Sequence, residues 1–229
     1  MCGRYTQTLP TERLAEIFRV SRQLPVPGIG YDIRPTTRVA SVRLDASGER
    51  VLTALPWMWK HAKFQHCNAK GENVRRYPAY RESFAHRRCL VPATGYFEWA
   101  PIPGTKLKQR FYIERIDGKL LAFAGLFNED SSMMATMTMP ANTEISQVHN
   151  RTPVFIEESD WERYLDPEPL NDDEKHRMIS TPSEGTFRFW PVANKAVGSD
   201  LLKEIPLDDA PSPQRPVKKS AMEGQGDLF

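Results

Sequence analysis

The sequence predicts an α+β single domain built on a curved, barrel-like antiparallel β-sheet with a few short helices and a flexible C-terminal tail. Three observations carry this. Short apolar runs bounded by turn residues recur between residues 38 and 192, few stretches have helical periodicity, and the composition changes at about Pro206. The first element is a helix over Thr11–Val20, where Leu14, Ile17 and Phe18 fall at i, i+3 and i+4 behind Pro10. Strands are predicted at Arg38–Leu44, Arg50–Leu55, Arg88–Val91, Gly95–Trp99, Arg110–Ile116, Leu120–Gly125, Met134–Met139, Pro153–Ile156 and Phe187–Val192. Asp117-Gly118, between two of these, is a hairpin signal. Asp160–Leu165 and Asp172–Ile179 read as helices that open on acidic residues, which suit a helix N-terminus. From Pro206 the chain turns to Pro, Ser, Lys and Asp. The expected organisation is therefore a domain over residues 1–205 and a tail over 206–229.

Composition narrows the function classes. In 229 residues no run approaches the roughly 18 apolar residues that span a bilayer, and Arg4, Thr6 and Gln7 interrupt any signal-peptide core, so a cytoplasmic protein is expected. Cys2, Cys67 and Cys89 are odd in number and irregularly spaced. They form no disulfide framework and no zinc-ligand spacing with histidine, so neither a metal nor a cofactor is expected. The net charge of +2 hides an asymmetry: residues 60–90 carry eight Lys/Arg against Glu72 and Glu82, and residues 157–174 carry nine Asp/Glu against Arg163. The basic block fits a polyanion-binding face or an ordinary solvated surface.

Cys2, followed by Gly3 and Arg4, is the most informative position. Aminopeptidases remove an initiator methionine when the next side chain is small. The new terminus would then carry an α-amine and a thiol, with reference pKa values of about 8 and about 8.5. A 1,2-aminothiol condenses with an aldehyde to a Schiff base and closes to a thiazolidine; it also serves as a nucleophile toward amides.

Three further groupings could carry chemistry. In Gly95-Tyr96-Phe97-Glu98-Trp99, strand alternation puts Phe97 and Trp99 on one face and Tyr96 and Glu98 on the other, so large aromatics fix the carboxylate. A carboxylate among apolar groups tends toward a raised pKa, which suits a general acid or base. In Val148-His149-Asn150-Arg151, an extended chain puts His149 and Arg151 on one face, pairing proton transfer with phosphate binding. In Asn68-Ala69-Lys70-Gly71-Glu72, Asn68 offers amide hydrogen bonds and Lys70 a charge. Trp57 and Trp59 lie just upstream, as stacking surfaces for single-stranded nucleic acid or as core residues.

Taken in order, Cys-Gly-Arg, Asn-Ala-x-x-Glu, Gly-x-x-Glu-Trp and Val-His-x-Arg-x-Pro resemble the SRAP family of SOS-response-associated, abasic-site-processing proteins. The resemblance covers residues 2–205 and takes in Tyr31–Pro35 and Trp190–Gly198. It implies a covalent crosslink to abasic sites in single-stranded DNA by a monomeric, nucleoid-associated enzyme. Carried over residue by residue, it makes Cys2 the nucleophile, Asn68 the residue that orients it, Glu98 the proton shuttle and His149 the group that assists at the sugar and in reversal. It gives Arg4, Lys70 and Arg151 to flanking phosphates, Pro35, Trp57 and Trp59 to the strand path, and Thr138 to the site. The family name also implies a peptidase that removes Met1. This chain departs from the family in three places. Lys70 replaces an arginine and loses its bidentate fork, Arg34 precedes Pro35 where alanine is usual, and the tryptophan-rich stretch around Trp57 and Trp59 is altered.

The last five residues, Gln225-Gly226-Asp227-Leu228-Phe229, resemble a bacterial sliding-clamp-binding peptide, with Gln225 at a pocket rim and Leu228 and Phe229 inside it. The alternative reading is an N-terminal-nucleophile amidohydrolase or peptidase. Such domains generally use an Asn-Gly pair as oxyanion hole, and this chain has no Asn-Gly dipeptide.

Overall fold

A computed structural model describes residues 3–61 and 64–206. Its centre is an eight-stranded sheet. The main path runs in the order Arg151–Pro153, Met134–Pro140, Leu121–Phe127, Arg88–Ala93, Arg38–Leu44, Arg50–Pro56 and Arg22–Gln23, and Asn68–Lys70 pairs in parallel with Met134–Pro140. A five-stranded antiparallel sheet has the order Phe187–Val192, Lys108–Arg115, Gly95–Pro101, Tyr5–Gln7 and Gly30–Ile33. Trp59–His61 and Phe64–His66 form a separate two-stranded ribbon.

The central sheet is covered on both faces, and its sequence shows why. Every residue of Leu121–Phe127 is buried. Ala122, Ala124 and Leu126 join Leu14, Phe18, Phe84, Trp161 and Tyr164 beneath the helices. Leu121, Phe123 and Phe127 join Tyr5, Tyr96, Ile113 and Phe187 of the other sheet. A continuous apolar strand is what burial on two faces requires, since successive side chains point oppositely. The layers are therefore helices, sheet and second sheet.

Arg38–Leu44 and Arg50–Pro56 pair along their whole length, from Arg38 opposite Pro56 to Leu44 opposite Arg50. Their turn is set by Asp45, whose Oδ1 accepts from the Ser47 and Glu49 amides at 2.9 and 3.2 Å, and by Gly48 at φ +81°. The helix Asp172–Met178 opens on a capping box: Asn171 accepts from the Glu174 amide, and the Glu174 carboxylate accepts from the Asn171 amide.

The expected α+β architecture of antiparallel sheets with a few short helices is present, and the two large sheets stay open. Three features differ from the sequence expectation. Asp117-Gly118 is a turn with Gly118 at φ +70°, but it is no hairpin, because Lys108–Arg115 and Leu121–Phe127 belong to different sheets. A helix at Pro78–His86 was not foreseen; Pro78 occupies its first turn, and Tyr80, Ser83 and Phe84 form its buried face. Finally, the basic block is partly internal. Arg88 is 2% exposed and donates to the carbonyls of Tyr164, Phe84 and Glu168, while Arg75 pairs with Asp172. Among the described residues no helix is long and apolar enough to cross a membrane. The tail, with Gln225, Leu228 and Phe229, lies outside the described residues.

Candidate active site

The strand Met134–Pro140 organises the site, because it pairs with three segments. Thr136 lies opposite Asn68 and Thr138 opposite Lys70 in the parallel partner, while Thr138 lies opposite Pro153 and Pro140 opposite Arg151 in the antiparallel one. Residues some eighty positions apart are thereby brought around one cleft of about 600 Å³. Its lining includes Asn68, Lys70, Thr138, His149 and Arg151, each expected from the sequence, with His66, Asn73, Tyr77, Tyr80 and Asn150, none of which carried a sequence signal.

Asn68 is 7% exposed, and its Oδ1 accepts from the Thr136 hydroxyl at 2.6 Å. A buried amide gripped this way has a set orientation. Its Nδ2 lies 3.4 Å from the Cys67 sulfur. Burial pushes the Cys67 thiol up, and burial does the same, more strongly, to Cys89. Neither described cysteine is an activated nucleophile. Cys2 lies outside the described residues.

Glu98 is 2% exposed on the strand Gly95–Pro101. Phe97 and Trp99 pack with Tyr112, Val192 and Leu201, whereas Tyr96 packs into the core between the sheets. The predicted alternation therefore holds, and the Tyr96 hydroxyl meets Thr152 at 3.2 Å. Glu98 Oε2 faces His149 Nε2 at 3.8 Å. That is longer than a hydrogen bond, so the two groups confront each other across a narrow gap. His149 follows the 3₁₀ turn Ile145–Gln147 and folds back on its own chain, its Nδ1 accepting from the Arg151 amide at 3.1 Å. The same Nδ1 lies 3.3 Å from the Arg151 carbonyl oxygen, so it accepts from the amide in one tautomer and donates to the carbonyl in the other, and Nε2 faces Glu98 in both. Burial, with the charges of Lys108 and Arg151, pushes the His149 pKa down, against a hydrogen bond to the Arg151 backbone that raises it.

Arg151 is tied to two neighbours. Its Nη1 and Nη2 donate to the two oxygens of Glu72 at 2.6 and 2.9 Å, and Nη2 also donates to the Thr138 carbonyl at 2.5 Å. Arg4 forms a bidentate pair with Asp32 and lies 5.4 Å from the Trp99 ring centroid. Burial raises the Asp32 carboxyl, but the hydrogen bonds from Arg4 and Arg34 outweigh it and hold the group below its usual value. Lys70 is exposed at the cleft.

The stacking expectation is corrected. Trp57 and Trp59 are 2% and 5% exposed. Trp57 donates from Nε1 to the Cys67 carbonyl at 2.9 Å and packs edge-on to Tyr5, and Trp59 packs edge-on to Tyr80. Their faces are used up inside the core and are closed to a base. Pro35, half-buried in the turn that follows Gly30–Ile33, is not part of the cleft lining.

Comparison with known proteins identifies the family. The family model for SOS response associated peptidase (SRAP) matches residues 1–199, and the chain belongs to that family. It is 27% identical to the abasic site processing protein YoqW of Bacillus subtilis, over 85% of this chain and 93% of that one. It is 24% identical to the abasic site processing protein YedK of Escherichia coli, over 87% and 95%. A solved structure of a phage-related protein from Bordetella bronchiseptica superposes with a TM-score of 0.69 at 29% identity, covering 84% of this chain and 95% of that one. A protein from Bacteroides thetaiotaomicron at 18% identity shares the fold, with a TM-score of 0.75 over 89% of this chain and 100% of that one.

Proposed function

We propose that this SRAP-family protein processes abasic sites in single-stranded DNA by forming a thiazolidine crosslink through Cys2. The observation that carries the reading is the convergence of Asn68, Thr138 and His149 on one cleft, with buried Glu98 facing His149 at 3.8 Å. The first strand supports it. Tyr5 lies opposite Tyr96, and the Phe97 amide donates to the Arg4 carbonyl at 2.9 Å. That antiparallel register lays the described N-terminal segment, from Arg4 onward, alongside the strand that carries Glu98. The raised thiols of Cys67 and Cys89 leave Cys2 as the candidate sulfur.

The chemistry needs no cofactor. The ring-opened abasic sugar presents an aldehyde at C1′. The Cys2 amine adds to that carbon, its extra proton leaves and the oxygen is protonated. Loss of the resulting hydroxyl as water gives the imine. The thiolate then adds to the imine carbon, the C=N pair moves to nitrogen, and nitrogen takes a proton to complete the five-membered ring. Two groups that trade protons on one side of the sugar suit these steps: buried Glu98 and His149, whose Nε2 faces it. Asn68, held by Thr136, would orient the terminal residue, and Lys70 would meet a phosphate. Met1 must be absent, since an acylated Cys2 nitrogen cannot form the imine. Intact mass of the purified chain reads its removal.

The test is a denaturing gel of the protein with an oligonucleotide containing one abasic site. Wild type should give a heat-stable shifted band that Cys2→Ala lacks; no band from Met1-free wild type refutes the proposal. The tail sequence supports a second contact, with Gln225, Leu228 and Phe229 docking on the replication sliding clamp. Leu228→Ala with Phe229→Ala should abolish capture by immobilised clamp, and undiminished capture would discard that contact.

A further inference from the structure

With Trp57 and Trp59 closed inside the core, the cleft must find another aromatic surface if it is to hold the base beside an abasic sugar. We infer that Tyr77 is that surface: a stacking platform for the nucleobase flanking the abasic position, with the Asn73 amide beside it. This inference rests on the proposed function and deepens it.

Among the described residues, the large apolar side chains left exposed are Leu24, Ile29, Phe64, Tyr77, Leu107, Ile116 and Val197. Tyr77 alone of these lines the cleft, and it is 43% exposed. Its placement is rigid for three reasons. It precedes Pro78, which confines it to the extended region, where it sits at φ −81° and ψ 115°. Its carbonyl accepts from the Tyr80 and Arg81 amides at 3.0 Å, so its backbone is the hydrogen-bonded start of the helix. Its ring lies 5.6 Å from the Tyr80 ring at a 30° tilt, and Tyr80 is in turn buried against Trp59. An exposed ring backed by a buried one, at the rim of a cleft whose other lining includes Asn68, Thr138 and His149, presents a flat apolar surface at a low ordering cost. Every base has a π-face, so this contact tolerates any neighbour. Asn73, exposed in the same lining, carries both donors and an acceptor for a base edge.

The readout is a cycle between the protein ring and the DNA base. Oligonucleotides carry one stable tetrahydrofuran abasic analogue. In one set both neighbours are normal nucleotides; in two others the 5′ or the 3′ neighbour is also a tetrahydrofuran. Affinity is measured for wild type, Tyr77→Ala, Tyr77→Leu and Tyr77→Phe. Stacking of one base on an aromatic side chain corresponds to roughly 5- to 150-fold in affinity. Wild type should lose that factor when the base on one particular side is removed. Tyr77→Ala and Tyr77→Leu should lose it with normal neighbours but show no further loss when that base is absent, and Tyr77→Phe should keep wild-type behaviour. A Tyr77→Ala loss that is equal on every oligonucleotide, or no loss at all, overturns the inference, because a purely structural tyrosine cannot sense a missing base. Failure of the underlying reading shows elsewhere, as absence of the Cys2-dependent crosslink in wild type. A wild type that crosslinks while Tyr77→Ala binds normally sinks the platform alone.

Discussion

Gly95 opens the strand that carries Glu98, and replacing it with alanine tests whether that strand must lie where it does. A Cβ built on Gly95 meets the Tyr112 ring and hydroxyl, and it falls 2.7 Å from the Ile113 carbonyl oxygen, where ordinary contact begins at 3.4 Å. The obstacle on the neighbouring strand is backbone, and Tyr112 is 2% exposed with its hydroxyl 3.0 Å from Thr6 Oγ1, so neither can swing away. The strand itself has to move by about 0.7 Å to clear the Ile113 carbonyl alone, and by more to clear the Tyr112 ring. Overpacking of a tight core costs about 1–3 kcal/mol, and a rigid obstacle on each side argues for the upper half of that range. For a domain of this size, about 2–3 kcal/mol lowers the melting temperature by about 4–12 °C. Glu98 is three residues along the displaced strand, and misplacement of a catalytic group by about 1 Å can cost about a hundredfold in rate. The expected result is a melting temperature down by that amount and a crosslinking rate down about ten- to a hundredfold, measured well below the melting point so that the variant is folded. Gly28→Ala is the control, since nothing lies within 4 Å of its Cβ position. It should stay within about 0.5 kcal/mol of wild type. A Gly95→Ala protein that melts within a degree of wild type and crosslinks at the same rate would refute the claim that close approach at Gly95 positions Glu98.

Two further predictions concern the other members of the site. Thr136→Val keeps shape but removes the donor 2.6 Å from Asn68 Oδ1. Weakening a buried acceptor's hydrogen bonding costs about 1–3 kcal/mol in urea denaturation. Crosslinking at saturating DNA should slow while affinity for tetrahydrofuran DNA is kept, and equal losses in both would assign Thr136 to binding instead. His149 has its pKa lowered by burial. Above about pH 6.5 the ring is neutral in both folded and unfolded chains and contributes nothing. Below it the unfolded chain takes up a proton that the folded site resists, so stability falls with pH until the folded pKa is passed. Denaturation at pH 5 to 7.5 should show wild type losing ground to His149→Asn below about pH 6.5, and parallel curves would mean that His149 titrates normally in the fold.

Strands whose side chains alternate or run continuously apolar were legible in the sequence. Arg38–Leu44 and Phe187–Val192 match their predicted bounds, because packing on one or both faces writes itself into the pattern. Pro78–His86 was not legible: its apolar face is two aromatic rings and a serine, and basic residues surround them. Asp117-Gly118 announced a turn correctly, but local chemistry does not say whether the next strand returns to the same sheet. Asn68, Glu98 and His149 stood out as ordered motifs, yet it is the pairing of Met134–Pro140 with both Asn68–Lys70 and Arg151–Pro153 that brings Asn68 and His149 to one cleft. Trp57 and Trp59 were misread because they stand beside lysines in the chain, whereas their burial is decided by Tyr5 and Tyr80. Tyr77 and Asn73 had no signal, since being exposed at a cleft rim depends on the cleft.

The arginines change the electrostatic picture most. A basic block and three phosphate-directed cations suggested an open positive face, but the structure pairs its arginines with acids. Arg151 spends both terminal nitrogens on Glu72 and also donates to Thr138, and Arg4 is held by Asp32. A phosphate reaches either guanidinium only by displacing a carboxylate or sharing its donors, which cancels much of the Coulombic gain. What Arg151 does in this arrangement is mechanical. Through Glu72 it ties the end of the Asn68–Lys70 segment to the Thr138 strand, and its amide holds His149 Nδ1 so that Nε2 faces Glu98. One residue thereby sets the relative position of Asn68, Thr138 and His149. Lys70 is left as the exposed cation of the cleft lining, at its surface rather than in the framework behind it.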